Sequence, residues 1–349
     1  MKMDKIDIFG LSMDELNEIF VEKGFKKFRA KQVFDWMYKK GIFSFEKMRN
    51  ISKNDIALLE ESFLMLPNQI KVLKDQISED LLTRKVLLEL TDGNSIETVC
   101  MKHNYGYSVC VSSQVGCNMN CSFCASGLTG CVRNLTVAEI LLQVYFFNQT
   151  LMREESKVSR VVVMGSGEPM LNFENVFNAL KFIHEPTVSD MSYRNMTVST
   201  CGIIPGIVKM QELDLPINLA ISLHAVNDDL RNELMPVNKK YNYLDVIKAS
   251  NDYAISSGRQ VTYEYILIDE LNDSENYAEI LVNLLKYKKA LVNLIPANPV
   301  VEKGYNRSKE SNVNKFFDVL KSHNINVTIR KEMGKDIDAA CGQLRAKYK

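Results

Sequence analysis

Apolar and polar positions follow one period near the start of the chain and another beyond it. In residues 1–80 the apolar positions recur every three to four residues, as Val33, Phe34 and Met37 do, which is typical of amphipathic helices. Ser12 stands before Asp14 and Glu15, and a hydroxyl followed by acids is typical of a helix start. We therefore predict a small helical domain over residues 1–80.

Residues 81–104 follow the period of two that is typical of strands. The apolar runs 84–90 and 95–101 are separated by the turn residues 91–94, which contain Asp92-Gly93. An Asp-Gly turn between two such runs favours a β-hairpin. We predict that these residues form a β-hairpin extension.

From residue 105 to 349, short β-like runs alternate with helical periods. The predicted strands cover residues 109–113, 160–164, 195–199, 217–223, 260–267, 291–295 and 326–330, with helices between them. Six β/α units are too few for a closed eight-fold barrel. We therefore predict an α/β fold, a partial (β/α)6 barrel, with ligand sites at the carboxyl ends of its strands.

Composition narrows the class of protein. The 349 residues are 46% hydrophobic and 25% charged, as in ordinary globular proteins. No apolar run approaches the roughly 20 residues of a membrane span, and residues 1–5 lack the apolar core of a secretory signal. We expect a cytoplasmic protein with no membrane partner, in which eight cysteines serve metal binding or catalysis rather than structural disulfides.

The charge is balanced overall but not locally. The chain has 43 basic and 43 acidic residues, whereas residues 22–49 hold nine Lys or Arg against three acids. Such a surplus is compatible with a surface that contacts phosphates. From charge alone, a solvated helix face is the favoured interpretation.

Three cysteines on one short segment carry the strongest chemical signal. Cys117, Cys121 and Cys124 have C-x-x-x-C-x-x-C spacing, with Phe123 before the third. Three thiolates can hold three irons of a 4Fe-4S cluster, and without a fourth cysteine at matching spacing the remaining iron is open to a ligand. A zinc site would require four ligands, usually as two close pairs, and only His103 is near. Zinc is therefore the less favoured alternative.

Small and polar residues follow several predicted strands at their carboxyl ends. They include Gly167 and Glu168 in the segment 164–169, Ser199, the run Ser222-Leu223-His224, and Asn298. Glycine permits close approach of a backbone to a ligand, although this segment lacks the G-x-G-x-x-G of a dinucleotide fold. Each residue alone fits a plain loop equally well, and only their recurrence at strand ends favours ligand binding.

Two isolated cysteines are ambiguous from the residues alone. Cys341 lies between acids and a glycine in the segment 336–344, which favours an exposed loop, although a lone cysteine is usually a small buried hydrophobe. Cys110 lies within the first predicted barrel strand. It is compatible with a position near the cysteine cluster or with a buried strand residue.

Together these segments resemble the RlmN/Cfr family of radical SAM RNA methyltransferases, where SAM is S-adenosylmethionine. The resemblance extends from residues 28–32 to 341–344, and its most specific parts are residues 96–99, 110–117, 133–136, 199–203, 222–224 and 336–342. The family methylates an adenosine in the peptidyl-transferase centre of large-subunit rRNA. RlmN members act at C2 and often also on tRNA; Cfr members act at C8 and confer antibiotic resistance. Pro169 makes this chain more similar to RlmN.

The resemblance also implies roles for particular residues. Cys117, Cys121 and Cys124 would hold one 4Fe-4S cluster, and two SAM molecules would be used per turnover. The first would methylate Cys341, and the second would yield a radical that activates this methyl group. Glu97 would remove a proton from the adenine carbon, and Cys110 would release Cys341 through a transient disulfide. The implied SAM contacts are Gly167, Glu168, Ser199, Ser222, Leu223, His224 and Asn298.

The same resemblance implies the partners. They are rRNA, tRNA and an electron donor such as flavodoxin or ferredoxin, acting on a monomer, with the basic N-terminal segment now favoured as an RNA contact. Two places differ from the family's pattern: Ser166, where Met is commoner, and the loop 126–131. The alternatives are C8 methylation, a radical SAM activase of a partner protein, which has no use for Cys341 or Glu97, and a zinc-bearing RNA-binding protein.

Overall fold

The structure is a computed structural model that describes residues 5–298, 300 and 304–344. Most of the N-terminal stretch used to assess a secretory signal lies outside these residues. The described helices are α1 Met13–Glu22, α2 Lys27–Tyr38, α3 Lys53–Ser62, α4 Val137–Leu151, α5 Phe173–His184, α6 Ile204–Glu212, α7 Asp228–Leu234, α8 Tyr243–Ser257, α9 Glu275–Leu285 and α10 Glu310–Ser322. Within this part of the chain, no helix is long and apolar enough to cross a membrane.

The described strands fall into one large sheet and two small ones. They are β1 Ile6–Asp7, β2 Phe63–Leu64, β3 Lys71–Ile77, β4 Thr83–Glu89, β5 Ser95–His103, β6 Gly106–Val111, β7 Gln114–Gly116, β8 Cys131–Asn134, β9 Val158–Val163, β10 Met196–Thr200, β11 Asn218–Ser222, β12 Val261–Leu267, β13 Ala290–Pro296 and β14 Asn326–Ile329. The large sheet has the order β14-β13-β12-β11-β10-β9-β6-β5-β4-β3. Its strands from β6 to β14 are parallel, and its other strands are antiparallel.

The predicted partial barrel is confirmed: six β/α units precede β14, and the described strands do not close into a ring. The predicted hairpin is also present as β4 and β5. It is continuous with the barrel, because β5 pairs with β6 and Val99 lies opposite Cys110. The division of the chain at residues 80 and 104 stays a prediction.

The prediction of helical structure throughout residues 1–80 is wrong for Lys71–Ile77. This segment forms β3, which pairs antiparallel with β4. The edge of β4 would otherwise expose a row of unpaired backbone groups, and β3 satisfies them. Asp75 binds Arg84 across the two strands at 2.6 Å, which supports the same register. Pairing with a distant strand thus overrides the local pattern.

The N-terminal helices pack directly against the barrel. Ser12 and Glu15 form a reciprocal capping box at the start of α1, as the sequence predicts. Tyr38 of α2 contacts Phe182 of α5, with ring centroids 5.0 Å apart. Because one apolar core spans both parts, the helices hold a fixed position beside the sheet.

One row of neighbouring residues crosses the sheet and lines the candidate active site. Strand pairing places Lys85, Val99, Cys110, Val162 and Thr197 next to one another on neighbouring strands. Residues two apart on a strand face the same side, so side chains of this row and of the row two residues away share one face. Most of the row lines a cavity inside the partial barrel.

Candidate active site

The cysteine loop is held in place by a short hairpin that the sequence did not predict. Strands β7 and β8 flank the loop, and Cys117 N–H donates to the Gly130 carbonyl at 3.0 Å. Gly116 has φ +75°, and a Cβ there would lie 1.9 Å from the Gly130 oxygen. Only glycine fits this turn, so the backbone itself fixes where the three cysteines begin.

Cys117, Cys121 and Cys124 all line an inner cavity of about 160 Å³. Burial, with a smaller contribution from the nearby Cys124 sulfur, raises the pKa of the Cys117 thiol to about 11. Burial and both other sulfurs likewise raise the pKa of Cys121. Three thiols that line one cavity and are close enough to affect one another's pKa match the ligand set of a 4Fe-4S cluster with one open iron.

The described side chains near the cysteine loop do not form a binding site for a single metal ion. In the described part of the chain, no three His, Cys, Asp or Glu side chains gather closely enough to hold a single metal ion. Cys201 also lines the inner cavity, but its thiol is hydrogen-bonded to the Glu168 carboxylate. A cubane cluster offers each thiolate its own iron and does not require such convergence.

The glycine-containing segment 164–169 also lines the inner cavity. Gly167 has φ +106°, and a Cβ there would lie 2.6 Å from the Gln114 side chain. The buried Glu168 carboxylate accepts hydrogen bonds from Met170 N–H at 3.0 Å and from Cys201 N–H at 2.8 Å. Burial raises the pKa of Glu168. Glu168 therefore ties this segment to the end of β10.

Of the other predicted SAM contacts, Ser199, Ser222, His224 and Asn298 line the inner cavity. The Leu223 side chain is fully buried and does not line it. Asn298 Oδ1 is buried and has no hydrogen-bond partner among the described residues. A buried acceptor without a partner requires an explanation, and a polar ligand such as SAM supplies one.

His224 is held neutral. Its Nδ1 accepts a hydrogen bond from Ile266 N–H at 3.0 Å, so the ring proton is on Nε2. Burial and the neighbouring Arg231 lower the pKa of His224 to about 3. Its ring meets the edge of Phe123, the aromatic residue before the third cluster cysteine, at 4.8 Å. A neutral donor therefore faces the inner cavity at neutral pH.

A second, outer cavity of about 350 Å³ adjoins the first. The two share a group of residues that includes Cys124, Ser126, Met164, Asn298, Arg330 and Cys341. Cys110 lines only the outer cavity. Cys341 thus lies on the boundary between the cysteine-lined inner cavity and the larger outer cavity.

Arg330 links the groups at this boundary. Its guanidinium hydrogen-bonds to the Cys341 thiol and lies 3.6 Å from the Glu264 carboxylate. Burial raises the pKa of Cys341, and the Arg330 charge partly opposes this shift. Burial and the nearby Cys341 raise the pKa of the Cys110 thiol to about 12. The two cysteines are therefore neighbours, and both are thiols in this structure.

Glu97 lies beside the outer cavity rather than in its wall. It is two residues before Val99 on β5, so it faces the same side of the sheet as Cys110. The side chain is buried, and Lys85 Nζ is 3.2 Å from its carboxylate. The structure thus brings Glu97, Cys110 and Cys341 to one region.

Comparison with known proteins agrees with this geometry. Residues 6–64 match the ribosomal RNA large subunit methyltransferase N-terminal domain, and residues 111–280 match the radical SAM superfamily. The chain is 48% identical to a probable dual-specificity RNA methyltransferase RlmN of Spiroplasma citri, over 97% of both chains. It is 47% identical to the protein of that name from Bacillus cereus, over 99% of this chain and 95% of the relative. The chain belongs to the RlmN family.

A solved structure supports the assignment. The crystal structure of a radical SAM methyltransferase from Sphaerobacter thermophilus superposes with a TM-score of 0.94 at 37% identity, covering 98% of this chain and all of the other. As an RlmN family member, the chain is a radical SAM RNA methyltransferase, which implies RNA, SAM and a 4Fe-4S cluster. This membership excludes the activase and the zinc-bearing RNA-binding protein.

Sequence reasoning missed four charged residues of this RlmN family site: Lys85, Arg231, Glu264 and Arg330. Two of them could have been found, because Lys85 and Glu264 are charged residues within apolar strand segments. A buried charge in a strand usually has a partner or a function. Arg231 lies in an ordinary helical pattern, and Arg330 directly follows the last residue of β14. No sequence signal distinguishes them.

Proposed function

We propose that this chain methylates C2 of an adenosine in the peptidyl-transferase centre of 23S rRNA, and also an adenosine in the tRNA anticodon loop. The observation that carries the proposal is the position of Cys341, on the wall common to the cysteine-lined cavity and the outer cavity. A cysteine there can receive a methyl group on one side and meet a nucleobase on the other.

The residues of the inner cavity would hold both cofactors. Cys117, Cys121 and Cys124 would bind three irons of the cluster, leaving the fourth for SAM. Gly167, Glu168, Ser199, Ser222, His224 and Asn298 would contact SAM, with Leu223 contributing through its backbone. The cluster and two SAM molecules per turnover supply a methyl group and the radical that activates it. The N–H of neutral His224 is a suitable donor to a SAM oxygen.

Cys341 is the residue that carries the carbon. Its thiol exchanges a proton for the first methyl group, and after a hydrogen atom is removed this carbon bonds to adenine C2. Loss of the C2 proton, which we assign to Glu97, and of one electron, which the oxidised form of a small electron carrier would accept, restores the aromatic ring. The Cys110 thiolate then attacks the Cys341 sulfur. When the sulfur–carbon bond breaks, its electron pair goes to the carbon. This carbon takes up a proton and becomes the methyl group of the product.

The proposed partners follow from these steps. Formation of the radical requires one electron, so we propose a small electron carrier such as flavodoxin or ferredoxin. The Cys110–Cys341 disulfide must be reduced by an external thiol before the next turnover. The match of residues 6–64 to an rRNA methyltransferase domain supports an RNA contact for the basic segment 22–49. We propose that a monomer suffices, because all the assigned groups lie on one chain.

The deciding experiment is mass spectrometry of nucleosides from a strain that lacks its own RlmN and expresses this chain. We expect 2-methyladenosine in rRNA and in the tRNA pool. 8-Methyladenosine would overturn the C2 assignment in favour of Cfr-type methylation with antibiotic resistance. 2-Methyladenosine in rRNA alone would remove tRNA from the proposal. If neither product forms while about four irons per chain are bound, the assigned target is wrong.

A further inference from the structure

A stack of three side chains lies at the outer cavity. The rings of His103 and Tyr105 lie parallel, with centroids 4.6 Å apart and an interplanar angle of 9°. The Arg160 guanidinium carbon is 3.9 Å from the centre of the Tyr105 ring. Both neighbours cannot occupy one face of the ring at these distances, so Tyr105 lies between them. All three residues line the cavity.

The strands hold this stack in a fixed orientation. His103 and Gly106 are paired residues at the turn between β5 and β6, and Ser108 is paired with Arg160 on β9. His103 Nε2 is 2.9 Å from Ser108 Oγ, which fixes the imidazole ring. Two members of the stack therefore lie on paired strands, and Tyr105, which is 53% exposed, lies in the short turn between β5 and β6.

Positively charged side chains line the cavity that holds the stack. Arg194, Arg330 and Lys331 line the same cavity, whereas its acid, Glu332, is already paired with Arg307. Burial and the charges of Arg160, Arg330 and Lys331 lower the pKa of His103, so the imidazole is a neutral ring at neutral pH. Unpaired bases in RNA stack on aromatic rings and on arginine planes, and their phosphates attract cations.

We infer that the stack of His103, Tyr105 and Arg160 is a subsite for an unpaired nucleobase next to the target adenosine. The inference rests on the proposed function, because it assigns the neighbour of the base that reaches Cys341. Arg160 is two residues from Val162, which pairs with Cys110, so the stack begins roughly 7 Å from the reacting groups along the strand. A neighbouring nucleotide can span that step.

The test compares variants in two separate assays. Tyr105→Ala should weaken binding of an unmodified hairpin fragment of the rRNA about 10-fold, because it removes the ring against which His103 and Arg160, the outer members that a base can reach, are packed. Tyr105→Phe keeps the ring and should bind like the wild type. Tyr287 is 99% exposed and outside the cavity, so Tyr287→Ala is the matched control. Methylation of Cys341 by SAM without RNA, measured by intact-protein mass, should be unchanged in all three.

An RNA that lacks one base provides a more specific test of the subsite. Replacing the nucleotide beside the target with an abasic residue should weaken binding to the wild type about 10-fold and should not weaken binding to Tyr105→Ala further. If Tyr105→Ala binds intact RNA as tightly as the wild type, the subsite assignment is wrong. If the wild type binds and methylates no RNA, the proposed function fails as well. These two failures are distinguishable because the second affects every variant.

Discussion

Lys85 Nζ lies 3.2 Å from a Glu97 carboxylate oxygen and donates to the Asp338 carbonyl at 3.1 Å. Both charged side chains are buried. One ammonium group thus connects the proposed base to the loop that carries Cys341. The Asp336 carboxylate, which accepts from Glu79 N–H at 2.9 Å, anchors the same loop to the turn between β3 and β4. Strands β3 to β5 therefore position both the proposed base and the loop that carries Cys341.

We predict that Lys85→Met slows release of the methylated product at least about 100-fold, the smaller end of what a general base contributes. Without Lys85, Glu97 is a buried carboxylate with a lost partner and shifts away from the adenine. The protein–RNA adduct should accumulate, as it should in Glu97→Gln, while methylation of Cys341 stays intact. Gel analysis under denaturing conditions measures the adduct.

The conservative control is Lys85→Arg, which retains the charge and should restore part of the rate. A Lys85→Met protein that releases product at the wild-type rate would contradict this coupling. Equal loss of Cys341 methylation and of release would indicate general damage to the fold instead. Breaking the buried pair should also lower the free energy of unfolding by about 3 kcal/mol, measured by urea titration.

The role proposed for Cys110 gives a second prediction. Cys110→Ala should purify from anaerobic expression with RNA covalently attached through Cys341, because no thiol can attack the Cys341 sulfur. The matched control is Cys100→Ala. Cys100 is buried in the neighbouring strand and pairs with Val109, but lies outside both cavities of the site. Absence of an RNA-linked species in Cys110→Ala, with product formed normally, would rule out the assigned role.

The two departures from the family's pattern contact each other. Ser126 and Ser166 are buried with their hydroxyl oxygens 3.2 Å apart, and Ser126 also donates to the Leu344 carbonyl at 2.9 Å. This pair anchors the segment that follows Cys341. We predict that Ser166→Met lowers the free energy of unfolding by about 2 kcal/mol, because Ser126 fills the space that a longer side chain needs.

The comparison for that prediction is Ser166→Ala, which removes one hydroxyl without adding volume. It should cost about 1 kcal/mol in the same urea titration. If Ser166→Met is as stable as the wild type, the space beside Ser126 is large enough for methionine and the prediction is wrong. The double variant Ser126→Gly with Ser166→Met should regain part of the lost stability, since it clears the position that Ser126 occupies.

The sequence predicts the local elements well because their signals are local. Hairpin turn chemistry, strand-end glycines and the spacing of Cys117, Cys121 and Cys124 depend on neighbouring residues only. The β3 strand depends on the distant edge of β4, and the Lys85–Asp338 contact joins residues 253 positions apart. Such pairings follow from the assembled sheet. Leu223, one of the predicted SAM contacts, has a buried side chain, and its N–H donates to the Glu264 carbonyl at 3.1 Å, so any contact with SAM would come from its backbone.

Arg231 shows most clearly what pattern reasoning misses. Its side chain is fully buried and donates to the carbonyls of Cys201 at 2.8 Å, Ser222 at 3.2 Å and Leu223 at 3.0 Å. It also donates to Asn238 Oδ1 at 2.8 Å. The first three carbonyls belong to the ends of β10 and β11, where SAM contacts are proposed. One guanidinium therefore sets the spacing of two strand ends.

We predict that Arg231→Met lowers the free energy of unfolding by about 3 kcal/mol, because several buried carbonyls lose their donor at once. It should also weaken SAM binding, since Ser222 and Leu223 lose the group that orders their backbone. Arg231→Lys keeps a charge but offers a point donor rather than a planar fork, so it should rescue little. Urea titration and calorimetry with SAM measure the two effects. A stable Arg231→Met protein with unchanged SAM affinity would show that the strand ends order themselves without this residue.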